Sequence, residues 1–527
     1  MKVAVYNRYW DSRGGGERYS AAMAETLVKL GHSVELLSPV GVDVGALARH
    51  LSLDLAGVGV RELPGADEWA FEKISGQYDL FINGTYMSTA VSNAKKSIYV
   101  CYFPTPAYQN EPLWRRGLIT RFGGLANRDA AYRVGDGWHL PEEGGRRLRW
   151  LWTNGRGVLE LAPGQEVSAT LHLGRPGATE PVQATIVAWD GSVLAEVRVG
   201  AAFAPVRLTI PASARRRKIR IFSATWKPAE DHRKLGVAWR RAGGVTHAAI
   251  STLLPGIRSM APDQTFLESY DTILGISHYT QDWIRRTWGK ESELLFPPVS
   301  VKAMTPSPVR DKSIVAIGRF FDPDRGHSKR QLEMVEIFRR ARQDGHLDGW
   351  VLHLIGGVEP GNRPYYEQVM AAAEGLPVEF HPNATRGKLE SIVNRASIFW
   401  SATGLHENTE SHPWRNEHFG LTTAEAMAAG CVPVVIDRAG QREIVRHGID
   451  GFRWTDVVEA VRFTREVAED EALRDRMALS SQARANDFSD EAFAARLREI
   501  GAERGLFSRA RPRRSGTAAP GLARTVD

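Results

Sequence analysis

The sequence predicts an α/β protein of two Rossmann-like parallel-sheet domains, with an all-β sandwich inserted in the N-terminal one. Three observations carry this. Strand and helix signals alternate through the first hundred residues; near Arg128 they give way to a series of short alternating strands; the α/β pattern then resumes and continues past a Pro-Pro pair. A chain of 527 residues has room for about three domains. It is 43% hydrophobic and 24% charged, ordinary for a globular protein with several cores.

The elements follow in order. "KVAVYN" is a β-rich run. "SRGGGERYSAAMAETLVKLGHSVELLS" reads as a glycine loop, an amphipathic helix stopped at Gly31 and a second strand, and "YDLFIN" and "SIYVCYF" are further buried strands. Such βαβ patterning implies a parallel sheet covered by helices. "RLRWLW", "GVLELAPG", "VSATLHLG", "VQATIVAW", "VLAEVRV", "VRLTIP" and "KIRIFSA" follow, with Asp190-Gly191 as a hairpin turn between two of them. Short strands at this spacing predict an antiparallel sandwich. "YDTILGIS" and "HYTQDWIRRTWG" resume the first domain, and "FPPVSV" is a linker that neither helix nor sheet accommodates. A second series follows: "SIVAIGRF", "WVLHLIGG", "PVEFHP", "ASIFWSA" and "CVPVVID". The expected boundaries are 1–129 plus 245–298 for the N-terminal domain, 130–244 for the insert, 299–490 for the C-terminal domain, and 491–527 for a helix end and a disordered basic tail. A cleft between two such domains, at the C-terminal ends of their strands, is where a ligand is expected.

The excess of 68 Lys+Arg over 61 Asp+Glu leaves a formal charge of +7, which selects neither an anionic small ligand nor a membrane surface; nucleic acid is not expected as a partner. The two cysteines, Cys101 and Cys431, lie in apolar runs and imply a reducing compartment. The N-terminus lacks the apolar stretch of a signal peptide, and no run is long enough to span a bilayer. A cytoplasmic location is expected.

The chemistry centres on "NEHFGLTTAEAMAAG", Asn416 to Gly430. A helix N-terminus after Gly420 offers unpaired N–H groups and partial positive charge to a phosphate. Glu417 lies before that mouth and Glu425 in the first turn, where a carboxylate can accept hydrogen bonds from ribose hydroxyls. The alternatives are a capping box formed by Thr422 and Glu425, and a solvated Glu417. In "IGRFFDPDRGHSKRQ", Arg319 ends a strand and Lys329 enters the next helix, so the two can clamp a diphosphate leaving group. The alternative there is a solvated helix face formed by Lys329 and Arg330.

These segments, with "HPNATRGKLESIVNRASIFWSAT" and "AGQREIVRHGIDGF", resemble the C-terminal half of the retaining glycosyltransferases of family 4, group 1 enzymes with the GT-B fold. "GGGER", "YDTILGISHYTQDWI" and "FPPV" are similar to the family in the N-terminal half. "NEHFG…EAMAAG" resembles especially the eukaryotic mannosyltransferases that extend lipid-linked oligosaccharides. The resemblance implies that Arg319 and Lys329 bind the donor diphosphate and that Glu417 contacts the transferred sugar. It implies that the amides of Gly420, Leu421 and Thr422 hold phosphate and that Glu425 binds ribose. Backbone at His381 and Asn383 would frame the base, and Gly15 and Gly16 would line the cleft. The donor would be a GDP- or UDP-linked sugar, with mannose favoured, and the acceptor a glycan or polyprenyl-linked sugar held by the N-terminal domain. No metal or other cofactor is expected. The setting implied is polysaccharide synthesis at the inner face of a bacterial membrane. A GT-B nucleotide-sugar epimerase and a non-catalytic glycan-binding protein are the alternatives.

This chain departs from the family pattern at three points. The loop "FFDPDRGHS" lengthens the Arg-to-Lys spacing, Tyr102 stands where many relatives carry histidine, and the β insert is extra. "GGG" at Gly14 to Gly16 lacks the rest of a dinucleotide fingerprint, so NAD is disfavoured. His406, His412 and His418 lack metal-ligand spacing and suit a polar lid. "PLWRRGLITRFGGLANR" fits either a membrane-surface segment or a helix packed on the sheet with its arginines in water. Trp138, Trp150, Trp152, Trp189 and Trp226 of the insert either stack on sugar rings or form core.

Overall fold

A computed structural model gives the architecture. It describes residues 1–12, 14–63, 70–106, 108–109, 111–128, 133–134, 137–139, 142–144, 148–161, 164–213, 217–228, 233–240, 265–343 and 345–507. The expected tail, 508–527, and the segment 241–264 that leaves the insert lie outside the described residues.

Strands β1 (Lys2–Tyr6), β2 (Ser33–Ser38), β3 (Val58–Glu62), β4 (Leu80–Asn83) and β5 (Lys96–Cys101) are joined by β16 (Thr272–Gly275) and β17 (Glu293–Leu294), which follow the insert in the chain. They form one seven-stranded sheet in the order β17-β16-β5-β4-β1-β2-β3, with every pairing parallel. The second sheet contains β18 (Asp311–Ile317), β19 (Val351–Gly356), β20 (Val378–Pro382), β21 (Ala396–Ser401), β22 (Val432–Ile436) and β23 (Phe452–Trp454). Its order is β20-β19-β18-β21-β22-β23, again parallel throughout. β4, β21 and β22 are buried at every position. Helices cover both faces of such sheets, which is why these strands read as unbroken apolar runs.

Ten described strands, β6 (Arg133–Val134) to β15 (Ala238–Arg240), intervene between β5 and β16. They form two five-stranded antiparallel sheets. Leu171 and Leu173 of one sheet share an apolar cluster with Ile186, Ile219 and Ile221 of the other. The Asp190-Gly191 turn forms as expected: the Asp190 carboxylate accepts from Ser192 N at 3.0 Å and Oγ at 2.7 Å, and Gly191 has φ +90°. The five tryptophans resolve toward core: Trp152 is buried, and Trp138, Trp150, Trp189 and Trp226 pack against the apolar clusters.

Two chain crossings join the α/β domains. At the first, Phe296 of the Pro-Pro linker packs against Phe419 and Phe488, and Val299 N donates to Phe488 O at 2.8 Å. At the second, the helix Asp490–Glu503, capped by Ser489, returns to the N-terminal domain. Phe493 meets Tyr19 edge-on at 5.1 Å, and Arg18, itself buried, donates to both oxygens of Asp490 at 2.7 and 2.9 Å. By its packing this last helix belongs with the first domain. Among the described residues no helix is long and apolar enough to cross a membrane.

Removing one partner of a half-buried ion pair leaves the buried Arg18 short of an acceptor. Asp490→Ala is therefore expected to cost about 2 kcal/mol of stability, the scale of hydrogen bonds to a charged group, and to speed amide exchange across the terminal helix. Thermal melting and hydrogen exchange check this; protection equal to the parent's would show that Arg18 does not anchor the helix.

Candidate active site

The stretch Pro413 to Leu421 is clasped from both sides. Ser277 Oγ donates to His418 O at 2.6 Å and Tyr279 Oη to Pro413 O at 2.8 Å, both from the N-terminal domain. The His418 ring stacks on Phe103 at 4.2 Å. From the C-terminal domain, Gly440 N donates to Glu417 O at 2.9 Å. The Glu443 carboxylate accepts from the backbone of His278 and Tyr279 at 2.7 and 2.8 Å. The segment "AGQREIV" thus locks the loop that carries Glu417 to the facing domain.

Glu417 is not a solvated loop residue. Its carboxylate pairs with the Lys329 ammonium, and both side chains are largely buried. Lys329 fits because Gly318, at the end of β18, has no side chain: a Cβ there would meet Lys329 Cγ at 2.4 Å. The expected alternative of a solvated Lys329–Arg330 face is also overturned. Arg330, held at φ +61°, bonds to Glu333 at 3.0 Å and to Glu407 at 2.5 Å, before the helix Gln331–Gln343 begins.

The helix Leu421–Ala428 starts at Gly420, whose φ of +119° suits glycine, and it has no side-chain cap. The Thr422–Glu425 capping box therefore does not form; Glu425 instead accepts from Arg386 at 3.1 Å. Thr423 and Ala424 donate back to Gly420 O, and among the described residues the N–H groups of Leu421 and Thr422 have no protein acceptor. Gly15 closes the mouth from the opposite domain: a Cβ there would lie 2.5 Å from Leu421 Cδ1. Gly16 O accepts from Tyr102 Oη at 2.9 Å.

Arg319 stands apart, 71% exposed and 3.6 Å from the exposed Glu359, a pairing too solvated to hold it. It flanks Gly357 opposite Asn383, which sits at φ +52° and whose side chain accepts at 3.0 Å from Val358 N of the neighbouring loop after β19. His381 faces His353 across adjacent strands, with 3.1 Å between ring nitrogens. The structure thus gathers Lys329, Glu417, Gly420, Leu421, Thr422 and Gly15 at one mouth. Glu425 lies a turn into the helix, Arg319 follows β18, His381 lies within β20 and Asn383 just after it.

Two further residues join the centre. His327, in the lengthened loop, is half-buried with its Nε2 withdrawn from water and unpartnered, and the charges of Lys329, Glu417 and Arg319 all reach it. Arg386 holds Glu425. The loop insertion was visible in the sequence, but nothing in the spacing placed its histidine beside Glu417. Burial pushes His327 down to about 3 and His418 to about 4. Burial opposes ionisation of Glu417, but the charge and hydrogen bond of Lys329 outweigh it and hold the carboxyl at about 2. At neutral pH Glu417 is therefore a carboxylate and both imidazoles are neutral. His406, His412 and His418 do not gather: His412 bonds to Arg116 at 2.7 Å, and His418 stacks on Phe103. Arg116 therefore bridges to the second domain and is not in water, whereas Trp114 of the same helix is 67% exposed.

Comparison with known proteins follows this geometry. Residues 302–484, which hold β18 to β23 and the Lys329–Glu417 pair, match the family model described as glycosyl transferases group 1. Among curated proteins, the GDP-Man:Man(3)GlcNAc(2)-PP-Dol alpha-1,2-mannosyltransferase of Dictyostelium discoideum is 26% identical over 228 residues, 41% of this chain and 42% of that protein. The Homo sapiens protein of the same name is 25% identical over 243 residues, 42% of this chain and 46% of its own length. The matched region thus spans less than half the length of these relatives. Among solved structures, Anabaena HepE in complex with UDP and glucose aligns with a TM-score of 0.51 at 11% identity, covering 95% of this chain and 100% of that one. A glycosyltransferase from Rickettsia africae aligns with a TM-score of 0.52 at 12% identity, covering 96% and 98%. These likenesses show the fold: two facing α/β domains of GT-B type.

The ionisations predict an acid response. In the unfolded chain each imidazole takes up protons near its ordinary value of 6.5, whereas in the fold both stay neutral to lower pH. Stability therefore falls as pH drops below about 6.5. The Glu417–Lys329 contribution, present above the ordinary carboxyl value of 4.5, is lost only as pH falls toward 2. His418→Phe, which keeps the ring stack, is expected to flatten the decline in melting temperature between about pH 7 and about pH 5. An unchanged slope would place that decline elsewhere.

Proposed function

We propose that this chain is a retaining glycosyltransferase of family 4. It would transfer a sugar, mannose from GDP-mannose in the favoured case, to a lipid-linked glycan acceptor. The observation that carries this reading is the Lys329–Glu417 pair at the open N-terminus of the helix Leu421–Ala428. The group 1 match over the same residues and the mannosyltransferase names of the curated relatives support it.

In this reading the donor diphosphate docks on the N–H groups of Leu421 and Thr422. Lys329 turns from Glu417 to the phosphate, and exposed Arg319 folds in from the rim. Charge building on the leaving group is met by fixed donors, the kind of stabilisation that lowers such barriers most. The sugar C1–O bond to the diphosphate breaks, the acceptor hydroxyl bonds to C1 on the same face, and its proton passes to the departing phosphate oxygen. Glu417, released from Lys329, faces the sugar. Glu425 and Arg386 address the ribose, while backbone at His381 and Asn383 frames the base. No metal enters the step. The N-terminal domain holds the acceptor, the exposed face at Trp114 touches the inner leaflet, and the sandwich of residues 130–244 extends the acceptor side.

Glu417→Gln keeps the side-chain shape and is expected to lower sugar transfer from the donor by roughly 10²–10³-fold, the scale of one lost transition-state contact, with the fold retained and the melting temperature lowered because Lys329 loses its partner. Radiolabelled GDP-mannose and UDP-sugars, assayed with a polyprenyl-linked acceptor, test it. Parent-level transfer by the variant would remove Glu417 from the chemistry. Separately, Arg319→Ala is expected to weaken nucleoside-diphosphate binding by about 2–4 kcal/mol, read by calorimetry; unchanged affinity would contradict the clamp.

A further inference from the structure

The face of β19 and β20 carries a cluster of side chains that the proposed sugar transfer, which calls on His381 only through its backbone, does not use. β20 is the edge strand of the second sheet, paired in parallel with β19 so that His353 lies opposite Glu379 and Ile355 opposite His381. Side chains two apart on a strand share a face, so this register puts His353, Glu379 and His381 on one face. His353 Nδ1 lies 3.1 Å from His381 Nε2, and the Glu379 carboxylate lies 3.4 Å from the first and 3.6 Å from the second. Three donor atoms therefore converge within 4.8 Å of one another.

Two of those separations, 3.4 and 3.6 Å, match a coordination shell, and the 3.1 Å between the rings falls just short of it. Bonds of about 2.0–2.2 Å in tetrahedral geometry put neighbouring ligand atoms about 3.3–3.6 Å apart. The two imidazoles are 15% and 13% exposed. Glu379 is 59% exposed at the sheet edge and opens a path to solvent. Local charge is mixed: Lys388 opposes a cation near both rings, and Asp311 and Glu379 favour one near His353. Two nitrogens and one carboxylate suit zinc and its first-row neighbours rather than magnesium or calcium.

We propose that His353, Glu379 and His381 bind a divalent transition-metal ion of the zinc class, with the remaining coordination position open to water. The site is separate from the Lys329–Glu417 centre. It sits two residues before Asn383, so an ion there would brace the rim loop that follows β20.

The test uses the full chain without a histidine tag. Calorimetry with Zn²⁺ is expected to show one site per chain, and Co²⁺ the intense visible absorption of a tetrahedral N/O shell, with Mg²⁺ giving neither. Glu379→Gln, an exposed change that leaves the fold intact, and His353→Asn are each expected to weaken Zn²⁺ binding by at least about tenfold, a loss that even outer-shell changes reach. Absence of a stoichiometric site in the parent overturns the proposal. So does equal Zn²⁺ affinity in the parent and in Glu379→Gln, or an octahedral Co²⁺ spectrum.

Discussion

A carboxylate largely withdrawn from water is tolerable only when a cation stands against it, and Glu417 has Lys329 for that purpose. Much of the surrounding architecture maintains this one contact. Gly318 makes room for the lysine stem, and Gly440 fixes the backbone of the glutamate. Arg330, anchored on Glu333 and Glu407, holds the turn from which Lys329 projects. In the proposed function the pair would open: an arriving diphosphate would offer the ammonium a second anionic partner and leave the carboxylate facing the sugar.

The parallel sheets were legible because strands buried on both faces admit almost only apolar residues, as in "LFIN" and "VPVVI". The ten-strand insert was legible through alternation and through Asp190-Gly191, whose turn chemistry is local. The helix mouth after Gly420 could be read for the same reason, since a positive φ at a helix start leaves a mark in the sequence. Partner choice across distance left no such mark. Glu425 and Thr422 fit a capping box by spacing, yet Glu425 bonds to Arg386, 39 positions away. Lys329 and Glu417 are 88 positions apart, and only the fold shows that they meet. His327 was hidden for a similar reason, because a longer loop announces extra residues and not where they turn.

The sequence ends the second domain at 490 and sets 491–527 apart as a helix end and tail; burial packs that helix on the first domain: Asp490 meets Arg18, Phe493 meets Tyr19, and Arg496 and Arg504 reach Glu293. Sequence order is a poor guide where a helix trades one hydrophobic face for another.

The double crossing has a mechanical consequence. One connecting strand would let the lobes twist and swing freely. Two connections, at Phe296 to Val299 and at Phe488 to Asp490, lie side by side and share the Phe296–Phe488 contact. Like two pins on one door, they confine any relative turn of the lobes to an axis through that aromatic contact. Such a turn would change the spacing of Gly15 and Leu421 only by breaking the clasp of Ser277, Tyr279 and Glu443 across the domains.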